Sequence, residues 1–261
     1  MSAQIHPSSV VSPEARLAEG VIVGPFCVIE GNAVIGARTL LRSHVVIGPH
    51  TELGEDNDIY PHATLGMGPQ DLKFKGAPTR LVVGNRNVIR EGSTLHRGTE
   101  GGGGLTTLGD DNFLMTGSHV AHDCHVGNKN IFANCATLAG HVEVGDGCNI
   151  GAFSAVHQFC RVGHHAFMGG FTVATQDVLP FMKTAGARDT KSYGVNTIGL
   201  QRKGFPVEVV EGLKKAHRLL FHAGLLREEA MAQTEKEVGH IAEVAYLLRF
   251  IREAKRGVHR G

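Results

Sequence analysis

The stretch that decides the fold is residues 5–65, IHPSSVVSPEARLAEGVIVGPFCVIEGNAVIGARTLLRSHVVIGPHTELGEDNDIYPHATL. Every sixth residue in it is aliphatic: Ile5, Val11, Leu17, Val23, Ile29, Ile35, Leu41, Ile47, Leu53, Ile59 and Leu65. The period resumes at Val83, Ile89 and Leu95, and again from Leu108 through Leu114, Val120, Val126, Phe132, Leu138, Val144, Ile150, Val156 and Val162 to Met168. Four residues after the aliphatic position stands mostly a small one, as at Ser9, Cys27, Ala33, Thr39, Ala63, Cys124, Ala136, Cys148 and Cys160. The residue directly after it is often glycine, as at Gly24, Gly36, Gly48, Gly54, Gly84 and Gly109.

A six-residue period is one short strand plus one corner. The aliphatic side chain points into a shared interior, the small residue fits a tight corner, and glycine is expected to supply the positive φ of the turn. Three hexads make one triangular coil of about 18 residues, and coils stack as parallel strands about 4.8 Å apart. The expected fold is therefore all-β: a parallel β-helix over residues 1–180. Handedness does not follow from the period, and the general crossover rule favours the right hand.

The repeat is interrupted twice, at 66–80 (GMGPQDLKFKGAPTR) and at 97–107 (RGTEGGGGLTT). Loops thrown out of a regular solenoid often carry function. The glycine run Gly101–Gly104 reads as a flexible excursion and lacks the P-loop pattern. Beyond the repeat, 181–205 reads as an irregular connection. Residues 206–261 read as a small helical domain, opening with a helix between Pro206 and Gly224.

Composition narrows the function. The net charge of +1 argues against a general nucleic-acid binder. Residues 201–261 carry 12 Lys/Arg against 8 Asp/Glu, a mildly basic end. No apolar run reaches membrane-spanning length, and MSAQIHPSSVV lacks the features of a secretory leader. The five cysteines form no C-x-x-C pair. They read as reduced thiols of a cytoplasmic protein, four of them at the inward small position.

The chain has 16 histidines. Aligning coils on Val120, Leu138 and Val156 places His122, His141 and His157 near one corner, within roughly 5–10 Å of each other. Histidine suits general-base work because its reference pKa lies near 6.5. Asp123, the next residue, would orient the ring. A metal site is the competing reading, with His119, His122 and His125 as ligands. Their three-residue spacing puts them at different repeat positions, which disfavours it.

Several segments together resemble one family: GPFCVIE (24–30), SHVVIG (43–48), QDLKFKGAPTR (70–80), NVIREGSTLHRGT (87–99), HVAHDCHVGN (119–128), ATLAGHVEV (136–144), AVHQFCRVG (155–163), QDVLPF (176–181), GVNTIGL (194–200) and QRKGFP (201–206). They are similar to the UDP-N-acetylglucosamine O-acyltransferases of lipid A synthesis, almost end to end. The resemblance implies a left-handed β-helix. It implies transfer of an (R)-3-hydroxyacyl chain from acyl carrier protein to the 3-hydroxyl of UDP-N-acetylglucosamine, with no cofactor and no metal. His122 matches the general base, Asp123 its partner, and the Gly140 N–H the donor to the thioester oxyanion. His141 and His157 match cleft-lining histidines, and Asp71 and Lys73 contacts to sugar and acyl chain. His96, His119, Gln158, Asn196, Arg202 and Lys203 match substrate contacts, most of them to the nucleotide sugar. Gly170 falls at the acyl-length ruler, where a glycine leaves room. A homotrimer with sites between subunits is implied, and an acidic carrier protein suits the basic end. The chain departs from some members in carrying Ile198 for an acidic residue and Lys203 for an arginine, whose fork a lysine does not reproduce. A relative that acylates an amine, a zinc hydratase and a non-catalytic scaffold are the alternatives.

Overall fold

A computed structural model describes residues 2–260. Each hexad forms a strand, most of them two residues long, and successive strands rotate through three sheets of eleven, nine and eight strands among the described residues, parallel throughout except for the last strand of the first. The first sheet begins with Gln4–Ile5, the second with Val10–Val11 and the third with Arg16–Leu17. The first strand residue faces outward and the second inward, so Ile29, Ile35, Leu41, Ile47, Ile59, Leu65, Leu95, Leu138 and Phe132 are wholly enclosed. Registry is strict: Val120 lies opposite Leu95 on one side and Leu138 on the other. The result is a left-handed parallel β-helix. Burying a Leu, Ile or Val side chain contributes about 1.5–3 kcal/mol, so stability is spread along the stack from Val23 onward, the first coil with Ile5, Val11 and Leu17 being only partly covered.

The glycines act differently from the sequence expectation. Gly36, Gly48, Gly54 and Gly84 are not in the left-handed region; a Cβ at Gly36 would lie 2.4 Å from the Gly54 carbonyl carbon, and one at Gly84 2.8 Å from that of Gly109. They are small because coils touch there. The positive φ falls two residues later, on side-chain-bearing residues: Arg38 (58°), His50 (57°), Asp56 (56°) and Arg86 (54°).

A second feature replaces the small residue at four successive turns. Asn57, Asn87, Asn112 and Asn130 are buried and stack as an amide ladder. Asn87 Nδ2 donates to Asn57 Oδ1 and Asn112 Nδ2 to Asn87 Oδ1, both at 3.0 Å, and Asn112 Oδ1 accepts from the Asn130 N–H at 2.9 Å. The rungs are separated by 30, 25 and 18 residues. Both excursions are thus looped out of a ladder that keeps its register.

The helical turns close at Val173–Ala174. Within 181–205, read from sequence as irregular, lie an antiparallel hairpin of Met182–Ala185 with Lys191–Val195 and the helix α1, Thr197–Arg202. Three helices follow: α2 (Val207–His222), α3 (Arg227–Val238) and α4 (Ala242–Glu253). Pro206 caps α2 at its start, and Gly224, at φ 69°, follows its end. Their apolar faces form a second core of Leu179, Phe181, Met182, Leu200, Leu213, Leu247 and Ile251. Arg161 fastens this unit to the β-helix, bonding Asp177 Oδ2 at 2.9 Å and the Phe250 carbonyl at 2.9 Å. Among the described residues no helix is long and apolar enough to cross a membrane.

Candidate active site at the corner between the second and third sheets

The strand His119–Val120 belongs to the second sheet and His125–Val126 to the third, so His122 and Asp123 sit on the corner between them. The corner turns because Asp123 takes φ 58°, a conformation that aspartate tolerates better than most residues. His122 Nδ1 lies 2.8 Å from Asp123 Oδ2. The carboxylate only accepts, so Nδ1 carries the proton and Nε2 is the free, basic nitrogen.

Asp123 is buried and well supplied with donors. Its Oδ1 accepts from the Thr99 N–H at 2.8 Å and its Oδ2 from the Thr99 hydroxyl at 2.6 Å. Its own N–H donates to Thr106 Oγ1 at 2.8 Å. A buried charge without such partners would be costly.

One coil on, Gly140 stacks over His122. A Cβ at Gly140 would lie 2.6 Å from Cε1 and 2.8 Å from Nε2 of the His122 ring, so only glycine lets the imidazole sit there. The Gly140 N–H donates to no group among the described residues, while its carbonyl accepts from the Phe159 N–H. A spare donor beside a basic nitrogen is the arrangement that acyl transfer needs.

His141 stacks over Asp123, with Nε2 at 3.7 Å from Oδ2 and its ring edge-on to His122 at 5.1 Å. The residue above His141 is Phe159, stacked at 4.5 Å, where the coil alignment suggested His157. His157 instead lies one position before the corner, exposed, with Nδ1 3.2 Å from the Gln158 carbonyl. Below the site, His96 and His119 meet edge-on at 5.0 Å, and His119 Nδ1 lies 2.7 Å from Thr94 Oγ1. Burial, then the neighbouring imidazoles His119 and His122, push His96 down to about 4. Burial, then His122, likewise lowers His119.

Both excursions fold back onto this corner. A cavity of about 450 Å³ is lined by Asp71, Lys73 and Phe74 from the first, Thr99, Glu100 and Gly101 from the second, and His141 and Phe159. The glycine run, expected to be flexible, forms a short 3-10 turn (Glu100–Gly102) capped by Thr99.

The remaining candidates lie elsewhere on the chain. Asn196 caps α1 and donates to the His165 carbonyl at 3.5 Å. The Lys203 ammonium bonds the Gly147 carbonyl and approaches His165 Nδ1 at 3.3 Å, with exposed Arg202 beside it. These residues occupy the corner between the third and first sheets. Gly170 is exposed on the corner between the first and second. Sequence reasoning did not single out Thr99, Thr106, Phe159 or His165; in Thr99 the only signal was its place in the second excursion.

The site contains one set of potential metal donors among the described residues, His122, Asp123 and His141, whose ligand atoms lie within 4.8 Å of each other. It differs from the His119, His122 and His125 set considered from spacing. Both Asp123 oxygens already accept from Thr99, so an ion there would compete with those bonds.

Comparison with known proteins shows the family and agrees with the fold. Residues 177–259 match the family model "Udp N-acetylglucosamine O-acyltransferase; Domain 2", and residues 105–140 match "Bacterial transferase hexapeptide (six repeats)". Among curated proteins, acyl-[acyl-carrier-protein]--UDP-N-acetylglucosamine O-acyltransferases from Stenotrophomonas maltophilia and Alkalilimnicola ehrlichii are 50% and 52% identical to the chain. The alignments cover 97% and 98% of this chain and 96% and 99% of those proteins. The crystal structure of the UDP-N-acetylglucosamine O-acyltransferase from Moraxella catarrhalis superposes with a TM-score of 0.95 at 41% identity, over all of both chains.

Proposed function

Because this chain belongs to the UDP-N-acetylglucosamine O-acyltransferase family, we propose that it moves an (R)-3-hydroxyacyl chain from acyl carrier protein to the 3-hydroxyl of UDP-N-acetylglucosamine, the first step of lipid A biosynthesis. The observation that carries the mechanism is the 2.8 Å contact of His122 Nδ1 with Asp123, which leaves Nε2 basic beside the Gly140 N–H.

The chemistry runs in balance. His122 Nε2 takes the proton of the 3-hydroxyl as the oxygen attacks the thioester carbon. The tetrahedral oxyanion accepts from the Gly140 N–H. Collapse breaks the carbon–sulfur bond, and the leaving thiolate recovers the proton from the imidazolium. Asp123 stabilises that imidazolium. Asp71 and Lys73 contact sugar and acyl chain from the first excursion. His96, His119, His141, His157 and Gln158 line the cleft, and Gly170 leaves space for the end of the acyl chain.

Asn196, Arg202 and Lys203, the proposed nucleotide contacts, lie on a different corner from His122. A second copy of the chain would bring the two corners together, which supports a homotrimer with sites between subunits. The outward residues of the second sheet agree: Val10, Val28, Val46, Thr64, Thr94, His119, Thr137, Ala155 and Val173 form an unbroken row without Asp, Glu, Lys or Arg. Phe26, Phe153 and Phe171 stand exposed on the adjoining corner. In the earlier coils the corner between the third and first sheets is charged, with Arg38 on Asp56 and Arg86 on Asp111, both at 2.7 Å. That stretch of the corner, away from Lys203, suits solvent. The basic helical unit suits an acidic carrier protein.

The test is turnover of UDP-N-acetylglucosamine with hydroxyacyl carrier proteins of several lengths, with and without chelator. Wild-type protein forms the 3-O-acyl product regardless of chelator, and a folded His122→Ala variant does not. Retained turnover in His122→Ala rejects the base. Loss to chelator turns the reading to a metal on His122, Asp123 and His141. Preference for the 3-amino sugar in direct competition changes the acceptor alone.

A further inference from the structure

Besides His122, a single residue of the preceding coil holds the Asp123 carboxylate. Thr99 gives it two hydrogen bonds, N–H to Oδ1 at 2.8 Å and hydroxyl to Oδ2 at 2.6 Å. The Thr99 hydroxyl in turn accepts from the Gly102 N–H at 3.1 Å. A hydroxyl has one proton, and a carboxylate can only accept, so the direction of every bond is fixed. The chain runs from the Gly102 N–H to Thr99 Oγ1, from its hydroxyl to Asp123 Oδ2, and from His122 Nδ1–H to the same oxygen. The glycines close the cage. A Cβ at Gly102 would lie 2.1 Å from the carboxylate carbon, and one at Gly98 2.8 Å from Oδ1. Gly98 and Gly102 thus lay bare backbone against the carboxylate, while a Cβ at Gly101 or Gly103 would meet nothing within 4 Å.

We infer that Thr99 is a positioning residue for the acyl transfer, acting through Asp123 on His122. The inference rests on His122 being the base. Oδ2 divides its charge between the Thr99 hydroxyl and the His122 ring. The hydroxyl therefore both aims the carboxylate and limits how strongly it holds a proton on His122. Without it, the carboxylate keeps the Thr99 N–H on Oδ1 but loses one donor on Oδ2, so its aim slackens and the charge it no longer shares with Thr99 falls on the imidazolium.

The experiment is steady-state kinetics of the full-length Thr99→Val and Thr99→Ser enzymes across pH. Valine keeps the shape and the backbone N–H and deletes only the hydroxyl. In Thr99→Val, kcat falls about 10- to 100-fold, the scale of a slightly misplaced catalytic group. KM for both substrates changes far less than kcat, because the deleted hydroxyl is engaged by Asp123 and the Gly102 N–H. The acid limb of the kcat profile moves to higher pH, since His122 keeps its proton longer. Thr99→Ser restores rate and limb. The other ionisable groups around the pair are His141, 3.7 Å from the same oxygen, His119 and His96 beyond His122, Asp71, Lys73 and Glu100 across the cavity, and His125 and Glu143 from the third sheet. All are unchanged in both variants, so a shift that serine reverses belongs to the hydroxyl. Wild-type kcat and pH profile in a folded Thr99→Val enzyme overturn the inference, as does failure of Thr99→Ser to restore them. Should valine prevent folding, Gly102→Ala carries the test: it presses a methyl on the carboxylate, and wild-type kcat there overturns the inference. Turnover surviving in His122→Ala would instead reject the underlying base assignment.

Discussion

Gly140 leaves His122 no room for a neighbour: a Cβ at position 140 would lie 2.6 Å from the His122 ring. Its backbone is not in the left-handed region, so alanine is tolerated by the main chain and felt only by the imidazole. Gly140→Ala should therefore unfold like wild type yet lose about 100-fold in kcat. Circular dichroism and turnover check it; full activity with an added methyl would show that the ring is not constrained there.

Gly170 is the contrasting case. A Cβ there would find only the Ala152 carbonyl, at 3.4 Å, and φ is again ordinary. Gly170→Met should fold normally and push its side chain outward into the space proposed for the acyl terminus. Donor preference should shorten by several carbons. The check is competition among acyl donors; an unchanged preference would remove Gly170 from the length ruler.

Arg161 is the rivet between β-helix and helical unit. Its side chain meets buried Asp177, the Phe250 carbonyl and the Phe250 ring, whose centroid lies 4.3 Å from the guanidinium carbon. Arg161→Met leaves the Asp177 carboxylate enclosed with only the backbone N–H of residue 161 on Oδ1. A loss of about 3 kcal/mol in urea unfolding is expected, with faster proteolysis of residues 206–260. A change below about 0.5 kcal/mol would mean that the apolar contacts alone hold the unit.

Three imidazoles, His96 and His217 buried and His165 half-buried, make stability depend on acid. Burial is the first cause in each of His96, His165 and His217, and each is pushed from 6.5 down to about 4. The unfolded chain takes up these protons near pH 6.5 while the folded chain resists until about 4. Unfolded protein binds more protons in that window, so stability is complete above about 6.5 and is lost as pH falls toward 4. His217→Leu removes one such group, whose Nε2 has no hydrogen-bond partner. The fall in stability between pH 7 and 4.5 should shrink by roughly 1–3 kcal/mol. An unchanged slope would show that His217 charges freely in the fold.

Much of the architecture was legible because the hexad period is a property of single residues: Ile29, Leu65 and Leu138 announce their burial by type and spacing alone. Features that depend on pairs of coils were not. Asn57 and Asn87 look like interruptions of the small-residue rule until they are seen to stack. The hairpin at 182–195 has alternating burial but crosses the period that made the rest readable. In the site, His122 and Asp123 are neighbours in sequence and so were easy to find. Thr99 reaches Asp123 only because its excursion folds back, which no local pattern encodes. Glycine was read for its permitted φ, while Gly36 and Gly102 are needed for their missing side chains.

The amide ladder sets terms for changing the length of this molecule. Its rungs accept any amount of chain between them, provided that each new turn ends with the next asparagine in place. An extra coil grafted between Asn87 and Asn112 should be accommodated if it brings its own asparagine. Without one it would strand amides inside the stack, as the Nδ2 of Asn130 already is at the last rung. Growth of the fold is in this sense quantised: whole coils can be added or removed, fractions of a coil cannot, and the asparagine is the mark by which a turn is counted.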